Sequence, residues 1–412
     1  MLTVDSYIDH FVSTWEKSPS DFPVFNRVYS ETEQLERENY FEQIQLKMKS
    51  LQSPAAIKKL KSGNPEAKFF PVFRSFLQSI FDFEEEHLEI ILSEQFRGVS
   101  KAFFYQARDF GPELTPENIY QGLRNVWIMN GLQLMMELPV EITPSVFAYS
   151  MIYPYSDNFL DDPGITSNEK KEFSKRFNLR LHGEHVSPVN HTEKQLFKLV
   201  SMFEEQYNRN EYPEVYQSLY AIQKGQTDSL KLLTTAGLSQ SETRKVCFEK
   251  GGASVLADGY LVAGKLTKQQ EQALFGYGIY LQLLDDIQDM KEDADANTNT
   301  MCTSLGQNNL GEFVNRTVHF GRSALEEMKC FKASNVDVFL NLMNRSIETM
   351  AIESVGINEK GFTKQYLNKM EQFSPLHFNF LREKKSQSKS QRFALFQKYF
   401  EQVKTDKLLY SV

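Results

Sequence analysis

Two short acidic stretches carry the residue types that could do chemistry in this chain. Residues 145–162 read SVFAYSMIYPYSDNFLDD and run directly into Pro163 and Gly164. Proline cannot continue a helix and glycine suits the turn after one, so the segment predicts a helix ending at its acids. Asp157 and Asp161 lie one turn apart on one face, with Asp162 beside them. Carboxylates at the C-terminal end of a helix face the negative end of its dipole and repel each other, which is costly without a cation. Alone, this cluster reads equally well as a solvated acidic helix end. Residues 274–293, LFGYGIYLQLLDDIQDMKED, repeat the arrangement. The first half is apolar nearly all round, as in a buried helix. The second half carries Asp285, Asp286, Asp289, Glu292 and Asp293, with Asp285, Asp289 and Asp293 forming one stripe. Two buried helices that each end in spaced carboxylates can face each other and hold hard cations between them. Magnesium suits such all-oxygen sites and completes its shell with water and substrate phosphates. Zinc lacks a matching Cys/His set, and the pair His182/His185 has no partner in the sequence. An anionic ligand would also need cations from the chain.

The elements that must position these residues are helices. Apolar residues recur at helical spacing over 30–50, 115–137, 144–162, 193–209, 212–236, 241–264, 268–293, 309–330 and 335–354. Thr115-Pro116-Glu117 is a helix start. Strand alternation is nearly absent, so the chain predicts an all-α fold, a single large helical bundle. Residues 1–75 read as a helical N-terminal extension and 76–412 as the main domain. Segments 294–304 and 383–391 are polar and read as solvated loops, or as loops that close over a site when an anion binds.

Composition narrows the function. A chain of 412 residues with 41 % hydrophobic content can bury a large core. A net charge of −8 disfavours nucleic acid and anionic membranes as partners. Cys247, Cys302 and Cys330 are too few and too scattered for a disulfide frame and suggest reduced thiols. The opening residues do not read as a signal peptide, and no apolar run is long enough for a transmembrane span, so a cytoplasmic location is expected. The 33 phenylalanines serve a core and can also line a pocket for a greasy or cationic ligand.

The second acidic segment, Leu281-Gln282-Leu283-Leu284-Asp285-Asp286-Ile287-Gln288-Asp289, resembles the second aspartate-rich motif of trans-polyprenyl diphosphate synthases. Asp285, Asp289 and Asp293 also resemble the acidic triad of terpene cyclases. The first segment is similar to the Asp-x-x-x-Asp-Asp motif of squalene and phytoene synthases. Ile165-Thr166 and Glu169-Lys170-Lys171 resemble the residues just after that motif in squalene synthases. Weaker resemblances are Lys250-Gly251-Gly252-Ala253, Gln223 to Asp228, and Tyr260-Leu261-Val262-Ala263-Gly264. Together they span residues 157–293 and point to the class I isoprenoid synthase superfamily.

That resemblance implies an enzyme that ionises an allylic prenyl diphosphate with a cluster of about three magnesium ions. It implies Asp157, Asp161, Asp285 and Asp289 as catalytic residues, and these with Asp162, Asp286 and Asp293 as metal ligands. Lys250 first, then Arg244 and Arg322, with Arg316 a further candidate, would bind the diphosphate. A terpene synthase is expected first, because the basic motif that holds a second diphosphate in chain-elongating enzymes is missing. The stretch from Arg97 and Lys101 to Arg108 is the one basic helix nearby and lacks that signature. A head-to-head or chain-elongating prenyltransferase is the alternative. From another class, a non-catalytic prenyl-binding helical subunit remains open, as does a homodimer.

Overall fold

The computed structural model describes residues 4–51, 66–162, 164–233, 238–305 and 307–385, and these are all-helical, with no strand among them. Pro163, part of the expected extension and most of the 383–391 segment lie outside the described residues.

Serine and threonine set many of the helix starts by capping the first free amides. Helix α1 is Asp5–Lys17, α2 Glu31–Leu51, α3 Glu66–Phe81, α4 Glu85–Ile91 and α5 Glu94–Phe110, the last opened by Ser93, whose Oγ accepts from Phe96 N. Helix α6, Pro116–Met135, starts at the Thr115-Pro116 signal, with Thr115 and Asn118 capping each other reciprocally. Helix α7, Pro144–Asp161, has Thr143 as its cap and proline in its first turn. Next come α8 (Ser167–Leu181), α9 (His191–Gln206), α10 (Pro213–Ser229), α11 (Gln240–Ala263), α12 (Lys268–Gln288), α13 (Met290–Asp295), α14 (Gln307–Glu327), α15 (Val336–Ile357) and α16 (Lys364–Glu371).

The antiparallel pair α11–α12 is the axis of the molecule. Gly264 ends α11 with φ +73°, a left-handed conformation that glycine adopts freely, and Thr267 caps α12 three residues later. The two helices cross at glycines. A Cβ added to Gly278 would sit 2.2 Å from the carbonyl oxygen of Gly251, and one added to Gly251 would sit 2.8 Å from that of Gly278. Helices α1, α6, α7 and α10 pack on α11, while α14 and α15 pack on α12. The segment expected as an extension contributes α1 to this common core. Phe11 and Trp15 are buried against Phe248, Phe275 and Phe320. Buried Glu271 accepts from the hydroxyls of Tyr7 at 2.5 Å and Tyr260 at 2.9 Å. No helix of the described residues is long and apolar enough to cross a membrane.

The polar segment expected as a loop from residue 294 begins later, because α13 carries the helical path on to Asp295. Beyond it, Asn299 N bonds to Leu232 O at 2.9 Å and Thr303 Oγ1 to Thr298 O at 2.8 Å, so the turn is fastened to its neighbours.

Candidate active site

Helices α3 to α7, α10 to α12 and α15 enclose a cavity of about 1050 Å³. Its wall is mostly apolar, with Phe96, Leu123, Ile128, Leu281, Leu342 and Ile347 among the lining side chains. Charged groups come from several directions. Asp157 enters from the last turns of α7 and Asp285 from the last turn of α12, so acids 128 positions apart in the chain border one space. Lys250 of α11 borders it too, and Arg97, Lys101 and Arg124 border it from α5 and α6.

Asp157 is half-buried and accepts from Ser156 Oγ at 3.0 Å. Asp285 is exposed. Asp289 caps α12 and Asp293 lies in α13, each amide bonding to the carbonyl four residues back at 2.8 Å. Burial, then repulsion from Asp285, pushes the Asp289 carboxyl up to about 6, and Arg124 opposes this. Burial, then repulsion from Asp289 and Asp285, pushes Asp293 up to about 6, with Lys250 opposing. The three aspartates therefore form a mutually repelling row with basic groups from α6 and α11 acting on it.

Several expected site residues lie elsewhere. Asp286 is one position past Asp285, about 100° further round the helix, and is buried in the core. Its Oδ1 accepts from Gln282 at 2.9 Å, and its charge acts on the buried thiols of Cys247 and Cys302. Burial, more than its neighbours Asp285 and Asp293, pushes the carboxyl up to about 7. Asp162 is exposed beyond α7 and accepts from Gly164 N at 2.7 Å. The side chain of Asp161 is outside the described residues. Arg244 is paired with Glu16 of α1 at 2.6 Å and does not border the cavity. Arg322 is likewise remote, bonding to Glu348 at 2.6 Å and to Val24 O at 2.8 Å, where it straps the chain after α1 onto α14 and α15. Arg316 lies over the Trp15 ring at 6.0 Å. Of the weaker features, Gln226 borders the cavity, while Asp228 is paired with Lys224 at 3.1 Å and Lys231 at 2.6 Å. His182 stacks on Tyr220 with 3.8 Å between ring centres.

Sequence reasoning missed two residues on this wall. Arg124 sits in the α6 pattern, where an exposed arginine is unremarkable. Asp258 lies within the last two turns of α11, and the signal available for it was a lone carboxyl in a nearly all-apolar turn. Among the described residues, no three His, Cys, Asp or Glu side chains gather into a ready-made metal chelate.

No protein-family model and no curated protein matches this chain.

Proposed function

We propose that the cavity is the active site of a class I isoprenoid synthase that ionises an allylic prenyl diphosphate. The carrying observation is that Asp157 and Asp285, each near the C-terminal end of its helix, border one large and mostly apolar space together with Lys250. The carboxylate donors fit magnesium, which takes oxygen ligands and completes its shell with water and phosphate oxygens. Asp157 on one side and Asp285, Asp289 and Asp293 on the other would hold it. Bound there, magnesium would act as a Lewis acid on the departing diphosphate oxygens.

The chain's own residues do the rest. Lys250 donates to the diphosphate, which a protein of net charge −8 needs. The apolar wall takes the prenyl chain and excludes water from the cation left behind. Tyr153 and Tyr277, both on the wall, offer aromatic faces to that positive charge.

The test is incubation with allylic diphosphates of several lengths, with and without isopentenyl diphosphate, in magnesium or chelator. Release of diphosphate and a hydrocarbon or alcohol of unchanged carbon count is expected. Asp157→Ala and Asp285→Ala should each lower turnover by a factor on the order of a thousand in folded protein. Full turnover in chelator, or in either variant, overturns the reading.

One observation favours a second reading. Arg97, Lys101 and Arg124 border the same cavity, although the expected basic signature is missing from the sequence. Such a set suits a second anionic substrate and hence a prenyltransferase. A longer product that requires isopentenyl diphosphate, or a doubled carbon count, would select it.

A further inference from the structure

Asp258 stands out within the cavity because nothing in diphosphate chemistry uses it. It lies on the face of α11 that also carries Lys250 and Ser254, eight residues from Lys250, which is about 12 Å along a helix. Its residue surface is 0 % exposed although it borders the cavity. Asn125 Nδ2 donates to Oδ1 at 3.1 Å and is itself positioned by Ser150 Oγ at 3.3 Å. Oδ2 has no hydrogen-bond partner among the described residues. No cation among the described residues shifts its titration. The titratable groups that its charge acts on are Tyr149 and Tyr153 of α7 and Tyr277 of α12, and Tyr149 and Tyr153 bond to Ser254 instead. Burial holds the carboxyl well above its usual range and so favours the protonated form, in which the unpartnered Oδ2 has an O–H to donate. A buried donor left unmatched is costly, and a site that carries one discriminates for a ligand that can accept.

A chain anchored by its anionic end at Lys250 and lying along α11 would pass this group. We propose that Asp258 is a specificity-determining residue that donates a hydrogen bond to an oxygen on the distal part of the ligand's chain. The substrate class is then an oxygenated isoprenoid diphosphate, with a hydroxyl, ether, epoxide or ketone oxygen roughly 12 Å from its anionic end. This proposal rests on the isoprenoid reading for the identity of the chain. It adds the polar group.

The experiment compares prenyl diphosphates of one chain length by calorimetry in magnesium. One is unmodified, and the others carry a hydroxyl or ketone at successive distal positions. Wild type should bind one positional isomer about ten- to hundredfold tighter than the unmodified chain. Asp258→Asn keeps a donor and should retain most of that preference. Asp258→Leu should abolish it or reverse it. Equal binding of the unmodified chain and every oxygenated one to wild type would overturn the proposal, as would a preference that survives in Asp258→Leu. The parent alcohols, with and without the distal oxygen, are measured in parallel. If the diphosphates bind no better than the alcohols, the isoprenoid diphosphate reading fails, while the alcohol pair still decides the role of Asp258.

Discussion

Asp258 ties the chemistry of the cavity to the stability of the fold. Its carboxyl has the usual value of 3.8 in the unfolded chain and is held well above that by burial in the folded one. Above 3.8 the unfolded state releases this proton while the folded state keeps it. The folded state then binds more protons, so this residue's contribution to stability falls as pH rises through that window, by up to about 1.4 kcal/mol per pH unit. Asp258→Asn keeps the acceptor for Asn125 and removes the titration. The expected outcome is a variant whose melting temperature gains on that of wild type as pH rises above the usual aspartate value of 3.8. Thermal denaturation across that range checks it, and a constant margin would show that Asp258 ionises freely in the folded protein. The same residue shows a limit of sequence reading. The acids of the two clusters were visible because they repeat at helical spacing. A single aspartate in a buried helix has no spacing to betray it, and its meaning lies in contacts with Asn125 that are distant in sequence.

At the scale of elements, the crossing of α11 and α12 holds the site in register. Lys250 and Asp285 lie toward the same end of the antiparallel pair, held in place by the contact between Gly251 and Gly278, where backbone meets backbone. A methyl group at Gly278 has no flexible side chain to displace, so the helices must part. Gly278→Ala is expected to cost about 2–3 kcal/mol or more in denaturant titrations, and to weaken diphosphate binding beyond what the lost stability explains. A variant as stable as wild type would mean that the helices slide freely past each other. The helices themselves were largely legible in the sequence, since the Thr115-Pro116 start and the apolar period announce α6 and the apolar period announces α7. The position of Asp286 was not. Adjacent aspartates look alike in a motif, yet a helix turns one toward the cavity and the next into the core. The pairing of Arg244 and Arg322 away from the cavity was hidden for a related reason, because their partners Glu16 and Glu348 come from elements that only the fold brings near.

Across the whole molecule, a cavity of about 1050 Å³ with a mostly apolar wall stands inside a protein of net charge −8. A greasy dianion has a place to put its tail but meets an unfavourable field at its head, which a divalent cation would correct. Prenyl diphosphate and magnesium together should therefore raise the melting temperature far more than either alone. At a ligand concentration a hundred times its dissociation constant the gain is about 2.7 kcal/mol. Equal stabilisation by the diphosphate in chelator would place the anion on Lys250 and the arginines without metal. Because α1 shares one core with the cavity helices, this gain should appear in a single unfolding transition.

The two thiols beneath Asp286 give the protein a built-in clock for its own breathing. Cys247 and Cys302 are buried, and burial pushes both well above the usual thiol range, so neither offers a thiolate to an alkylating reagent. Cys302 sits in the turn after the acidic row and is fastened through Asn299 and Thr303. It reacts only when that turn lifts, whereas half-buried Cys330 is the thiol most open to immediate modification. Mass-resolved alkylation under native conditions should show Cys330 labelled first and Cys302 at the opening rate of the turn. Slowing of the Cys302 step by diphosphate and magnesium, with Cys330 unchanged, would time the closing of the site without any need for turnover.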